Sequence, residues 1–79
     1  MTDRSSRTDV RNPLTRLPAA AKLQALPRPV RELVRGLLNE LSRDAREQAN
    51  KAWRTHKAPM AAYWKAVAVY ARHAALLLK

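Results

Sequence analysis

The sequence predicts an all-α fold, a helical hairpin, and three observations lead to this prediction. Apolar residues recur at steps of three and four along residues 30–52 and 60–78, which is the spacing of one helix face. Most of them are alanine and leucine, both strong helix formers. The chain has one glycine and few β-branched residues, which leaves little from which to build a sheet.

The chain is short enough to form a single domain. Residues 1–16 are rich in Thr, Ser, Asp and Arg and have no apolar period, so we predict a disordered, flexible basic arm there. Residues 17–79 are predicted to form one helical domain. A short helix fits between Pro18 and Pro27, because proline suits a first helical position and also ends a helical run.

Two longer helices follow, at about residues 29–56 and 59–78. Pro59 interrupts them because it cannot donate a backbone hydrogen bond and its ring clashes with the preceding helical turn. The chain therefore either turns back on itself or kinks into a bent rod. We favour the turn, because a kink leaves backbone groups unpaired, although no Gly or Asn stands there to cap the first helix.

The expected core lies on the apolar faces of these two helices. The long helix contributes Val30, Leu33, Val34, Leu37, Leu38, Leu41, Ala45, Ala49 and Ala52. On the last helix, apolar residues recur at alternating steps of four and three residues and form a row along one face. We expect Tyr63, Trp64 and Tyr70 to pack along this row rather than to bind a ligand or a base. Because this helix is apolar on more than one face, we expect a helical-bundle homo-oligomer, a dimer.

Charge narrows the possible partners. The chain has 16 Lys and Arg against 6 Asp and Glu, a formal net charge of +10. Residues 51–79 contain no Asp or Glu. Such a charge distribution attracts nucleic acid, an acidic protein surface or anionic lipid. The absence of cysteine removes disulfides and thiolate metal sites, and favours the cytoplasm.

No enzyme is predicted. The sequence has no glycine-rich phosphate loop, no nucleophile motif and no zinc-ligand spacing. Glu40, Asp44 and Glu47 share a helix face, but we expect salt pairing to explain them, since Arg and Lys are interleaved with them. We therefore expect no catalytic residue, no metal site, no cofactor and no small-molecule substrate.

The first candidate binding surface is a basic stripe on the long helix. At about 100° per residue its members fall within about 80° of one another. They are Arg28, Arg31, Arg35, Arg46, Trp53 and Lys57. An exposed Trp beside Arg and Lys is a stacking platform or an interface anchor. The alternatives are an ordinary solvated face, and a Trp53 buried against the arm or the short helix.

A second candidate lies just before Pro59, where four potentially cationic side chains precede the last helix. They are Lys51, Arg54, His56 and Lys57. A helix N-terminus presents free N–H groups, so these cations could complete an anion site. Alternatively, they only complement the C-terminus of the preceding helix.

A membrane-spanning helix is disfavoured. Residues 58–78 are long enough to cross a bilayer, but Lys65 and Arg72 would be costly at membrane depth. A helix lying on an anionic membrane surface remains a third possibility for this segment, and it would require Tyr63 and Trp64 to leave the core.

The segment Trp53–Val67, WRTHKAPMAAYWKAV, resembles a segment of small uncharacterised proteins of temperate and transposable bacteriophages and prophages. The resemblance covers roughly the last third to half of the chain. It implies a bacterial cytoplasm and an accessory or early phage role. Such proteins act on nucleic acid, or bind and inhibit a host protein. No functional residue is carried over from it.

Together these features predict a small, basic, non-enzymatic binding protein. We expect it to bind nucleic acid through phosphate contacts, using the stripe and the arm. The alternative is a stoichiometric inhibitor or adaptor that docks on an acidic face of a host protein, with Trp53 as its anchor.

Overall fold

A computed structural model describes residues 12–79 of the chain. Within them it contains a 3₁₀ turn at Pro13–Arg16 and three α-helices, α1 (Pro18–Gln24), α2 (Arg28–Arg54) and α3 (Ala58–Leu77). The two long helices pack against each other as an antiparallel hairpin, and the 3₁₀ turn and α1 contact α3. The predicted all-α helical hairpin is confirmed.

The turn between α2 and α3 is closed by a hydrogen-bonded cap. The amide of Lys57 donates to the carbonyl of Ala52 at 2.8 Å, and the amide of His56 donates to that of Trp53 at 3.1 Å. These two bonds form a Schellman motif, in which the residue directly after the helix C-cap adopts the left-handed backbone conformation. His56 occupies that position, with φ of 61°, where glycine is the usual residue.

The chain therefore turns rather than kinks, although neither Gly nor Asn caps the end of α2. The left-handed conformation costs a residue with a Cβ about 1–2 kcal/mol, and the two cap hydrogen bonds offset this cost. As a result α2 ends at Arg54, two residues before the predicted end. Pro59 falls in the first turn of α3, where a missing N–H breaks no helical hydrogen bond.

The two helices meet along a strip of small side chains, which we call the alanine seam. It consists of Ser42, Ala45, Ala49 and Ala52 on α2 and Ala61, Ala68, Ala71 and Ala75 on α3, all buried. The hydroxyl of Ser42 donates to the carbonyl oxygen of Ala68 at 2.7 Å. Because a serine side chain is short, this bond requires the two backbones to lie close together.

The N-terminal part of the domain is attached to the far end of α3. The Asn12 side chain donates to the carbonyl of His73 at 2.8 Å and accepts from the Leu14 amide at 3.3 Å. Leu77 and Leu78 are buried. Residues 12–16, assigned to the arm from the sequence, are therefore structured here, because Asn-Pro initiates a turn. The predicted arm at residues 1–11 lies outside the described residues.

The core differs from the one expected. Leu33, Leu37 and Leu41 are exposed, and so are Tyr63 and Tyr70, so the prediction that they pack in the interior is wrong for a single chain. The reason is the position of the seam: α3 contacts the alanine strip of α2, and the leucines stand to one side of it. Trp64 is half-buried and packs edge-on against Tyr63, with ring centroids 5.1 Å apart.

Charged residues remain on one side of α3. Lys65 and Arg72, seven residues apart, are exposed along the helix, and Lys79 continues the line after its end. In the described part of the chain, no helix has both the length and the apolar character needed to cross a membrane.

The alanine seam has room only for small side chains, and this can be tested by substitution. We expect Ala68→Leu to lower the free energy of unfolding by about 1–3 kcal/mol, because the added volume forces the helices apart. Ala66→Leu, on the exposed side of the same helix, is the matched control and should change stability by less than about 0.5 kcal/mol. Urea unfolding followed by circular dichroism measures both. Equal effects of the two substitutions would contradict the close packing.

Candidate functional site: a basic groove beside Trp53

A groove of about 630 Å³ lies on one side of the hairpin, and we call it the Trp53 groove. From α2 it is lined by Arg46, Ala49, Asn50 and Trp53, and from α3 by Ala58, Ala61, Ala62, Lys65, Ala68 and Val69. The groove exists because the small residues of the alanine seam form its floor while longer side chains stand at its edges.

Trp53 stands at the rim of this groove. Its side chain is 70% exposed, and it lies about 60° from the centre of the seam on the surface of α2. An indole that is largely solvated has most of its apolar ring free to contact a partner. Trp53 is therefore not buried against α1, and the arm at residues 1–11, the other element considered for its burial, lies outside the described residues.

Both walls of the groove carry a cation, Arg46 from α2 and Lys65 from α3. No carboxylate of the described residues lines it. The acidic side chains of residues 31–50 all lie on α2, and Glu40, Asp44 and Glu47 fall on its other sides. The groove therefore attracts anions without an internal counter-charge.

The basic character continues along the hairpin beyond the groove. On the same side, Arg72 donates from Nη1 to the side-chain oxygen of Asn39 at 3.2 Å. Lys65 and Arg72 are not among the site residues predicted from the sequence. Their seven-residue spacing is visible in the sequence, but which side of α3 faces the arginine stripe depends on how the helices pack.

The predicted arginine stripe is only partly available. Arg28 is exposed and forms an ion pair with Glu32, with 2.9 Å between Nε and Oε1. Arg31 and Arg35 are half-buried, and the Nε of Arg31 is buried without a hydrogen-bond partner within the described chain. Arg46 and Trp53 are the members of the stripe that the structure brings together.

The second predicted cluster does not form one site. Lys51 and Arg54 are exposed on sides of α2 that point away from the groove. Lys57 leaves the stripe because α2 ends at Arg54, and the residue becomes the N-cap of α3. His56 and Lys57 are exposed in the turn, close to the first backbone N–H groups of α3.

The acidic residues on α2 are not paired as expected. Within α2 and α3 the structure contains one ion pair, Arg28 with Glu32. Glu40, Asp44 and Glu47 are exposed and do not form the predicted salt bridges, because a solvated pair gains little for the side-chain entropy it loses. In residues 12–79 no group of three His, Asp or Glu side chains is arranged to hold a metal ion.

Comparison with known proteins adds no relative: no protein-family model, no curated protein and no solved structure matches the chain. The similarity of Trp53–Val67 to phage and prophage proteins therefore stays a prediction. The fold and the groove define a class, a small helical hairpin with a basic, tryptophan-bordered groove.

The environment of Trp53 can be measured by fluorescence quenching. The chain has two tryptophans, so Trp64→Phe leaves Trp53 as the only one, and Trp53→Phe leaves the half-buried Trp64. We expect the ratio of iodide to caesium quenching to be higher for Trp53 than for free N-acetyltryptophanamide, because Arg46 and Lys65 concentrate anions beside it. Trp64 should be quenched less by both ions. A ratio for Trp53 equal to that of the free indole would contradict a basic groove.

Proposed function

We propose that this protein binds nucleic acid through phosphate contacts made along the Trp53 groove. The observation that carries the proposal is the groove's composition: cations from both helices, an exposed tryptophan, and no carboxylate among its lining residues. Cations that neutralise phosphates provide most of the affinity in non-specific nucleic-acid binding.

In this function the residues of the groove have distinct tasks. Arg46 presents a planar guanidinium that can hold two phosphate oxygens at once. Lys65 contributes a compact charge from the opposite wall, and Arg72 extends the contact along α3. Trp53 offers an aromatic face on which an unpaired base can stack, whatever its sequence.

Binding of this kind depends little on the base sequence of the nucleic acid. The helix before α2 is only seven residues long (Pro18–Gln24), and residues 25–27, which end in Pro27, separate the two helices. This is not the helix-turn-helix geometry that inserts a recognition helix into the major groove. The contacts therefore fall on the sugar–phosphate backbone, which positions a protein but does not specify a base sequence.

Charge removal tests the proposal. We expect Arg46→Gln with Lys65→Gln to reduce the slope of log affinity against log salt by about 2 for duplex DNA, since each phosphate contact contributes roughly 0.9. Fluorescence anisotropy with labelled duplex and single strands measures the slope at several salt concentrations.

The matched control is Arg43→Gln with Lys51→Gln, which removes the same charge from exposed positions outside the groove. It should leave the slope nearly unchanged. Binding that is insensitive to salt, or equal losses in the two double variants, would exclude phosphate contacts in the groove.

A second candidate function, a stoichiometric inhibitor or adaptor of a host protein, is favoured by the apolar floor of the groove. Five alanines and Val69 line it, and an apolar floor between two cations also suits an acidic amphipathic segment. In this function Trp53 is the anchor that fills a pocket on the partner.

Affinity capture from nuclease-treated bacterial lysate separates the two candidates. For the protein partner we expect one host protein to be retained by the wild-type chain and lost with Trp53→Ala, because truncating an interface anchor typically costs more than 2 kcal/mol. Leu17→Ala, which truncates an exposed apolar side chain outside the groove, is the control. If nothing is retained after nuclease treatment, the protein partner is ruled out.

A further inference from the structure

The side of the hairpin opposite the Trp53 groove is apolar, and we call it the leucine–tyrosine face. It consists of Val30, Leu33, Leu37 and Leu41 on α2 and Met60, Tyr63 and Tyr70 on α3. Their side chains are between 42% and 65% exposed. None of them lines the Trp53 groove.

Helix geometry places these residues on one side. On α2, Leu37 lies about 100° from the centre of the alanine seam in the direction away from Trp53. On α3, Tyr63 lies about 120° from the seam in the direction away from Val69. Since Trp53 and Val69 line the same groove, Leu37 and Tyr63 share the other side of the antiparallel pair.

This face is comparable to the largest apolar patch of a typical monomer, about 300–600 Å². Taking about 150 Å² for each side chain when free, its seven members present on the order of 500 Å² of apolar surface. Contiguous apolar patches on monomeric proteins rarely exceed a few hundred Å², whereas a stable interface uses about 800 Å² from each partner. The leucine–tyrosine face thus supplies most of one half of an interface.

The interior of the hairpin gives a second reason for a partner. Its buried apolar residues are alanines apart from Leu77 and Leu78, so a single chain removes little apolar surface from water. Burial of large apolar side chains is the main favourable term in folding. In this chain those side chains lie mostly on the outside of the hairpin.

We propose that the leucine–tyrosine face is covered by a second copy of the same chain. Residues 1–11 cannot cover it, because Met1 and Val10 are their only large apolar residues. On α2 the face is bordered by two carboxylates, Glu40 and Asp44, and one ammonium, Lys51, so its border does not share the positive charge of the whole chain, which is +10. Apposing two such faces keeps the basic sides apart.

The resulting dimer has a defined outer surface. Its two Trp53 grooves lie on opposite sides, because each groove is on the side of its hairpin that points away from the shared interface. A dimer therefore binds two anionic segments rather than one. The pairing itself does not rest on the proposed function, since the groove residues take no part in it.

The test is the mass of the full, nuclease-treated chain in solution, measured by sedimentation equilibrium across the micromolar range. We expect twice the 9.0 kDa of one chain. Leu37→Glu should weaken association at least about a hundredfold, because a two-fold interface buries the new carboxylate once in each copy. Val69→Glu, the same type of change on the groove side, should leave the dimer intact.

Two further readouts keep the test decisive. If Leu37→Glu loses its helical circular dichroism, the wild-type chain is tested alone. Its thermal unfolding midpoint rises with protein concentration if the chain is a dimer and is constant if it is a monomer. A wild-type monomer across the range overturns the proposal, as does a Leu37→Glu variant that remains dimeric. A monomer that sediments with anionic vesicles also overturns it, and assigns the face to lipid.

Discussion

The close contact between two alanine-lined helix faces is the constraint on which the rest of this hairpin depends. Ser42 reaches the backbone of α3 at Ala68, so α2 and α3 have no room between them for larger side chains. Such side chains are therefore displaced to the flanks of the seam. The chain obtains a well-defined pairing of its helices, but not a large apolar interior.

The two flanks of the seam have opposite chemistry. One bears Trp53 and cations from both helices, and the other bears leucines and tyrosines bordered by carboxylates as well as a cation. This division follows from the sequence of α2, in which arginines and leucines occupy different sides of the same helix. A protein built in this way can use one side for an anionic partner while the other remains free for a different contact.

The helices themselves follow from the sequence, because periodicity indicates their extent and Pro18, Pro27 and Pro59 lie at or next to their first residues. The end of α2 differed because a histidine takes the left-handed cap position, and no local pattern marks His56 for it. Leu33 and Leu37 were assigned to the core because periodicity shows that a face is apolar, not which neighbour covers it.

The candidate site was predictable in part for the same reason. Arg46 and Trp53 could be found on α2 alone, since one helix fixes their relative positions. Lys65 belongs to a different helix, and its approach to Arg46 depends on the rotation of α3 about its axis. That rotation is set by the alanine seam and Ser42, whose importance as small residues is not evident from a hydrophobic pattern.

The attachment of Asn12 to the carbonyl of His73 also sets a length scale. Along α3, this attachment lies about 12 Å from Lys65, at 1.5 Å per residue. Under the proposed function, a nucleic acid that contacts both Lys65 and Asn12 spans about four base pairs, at 3.4 Å each.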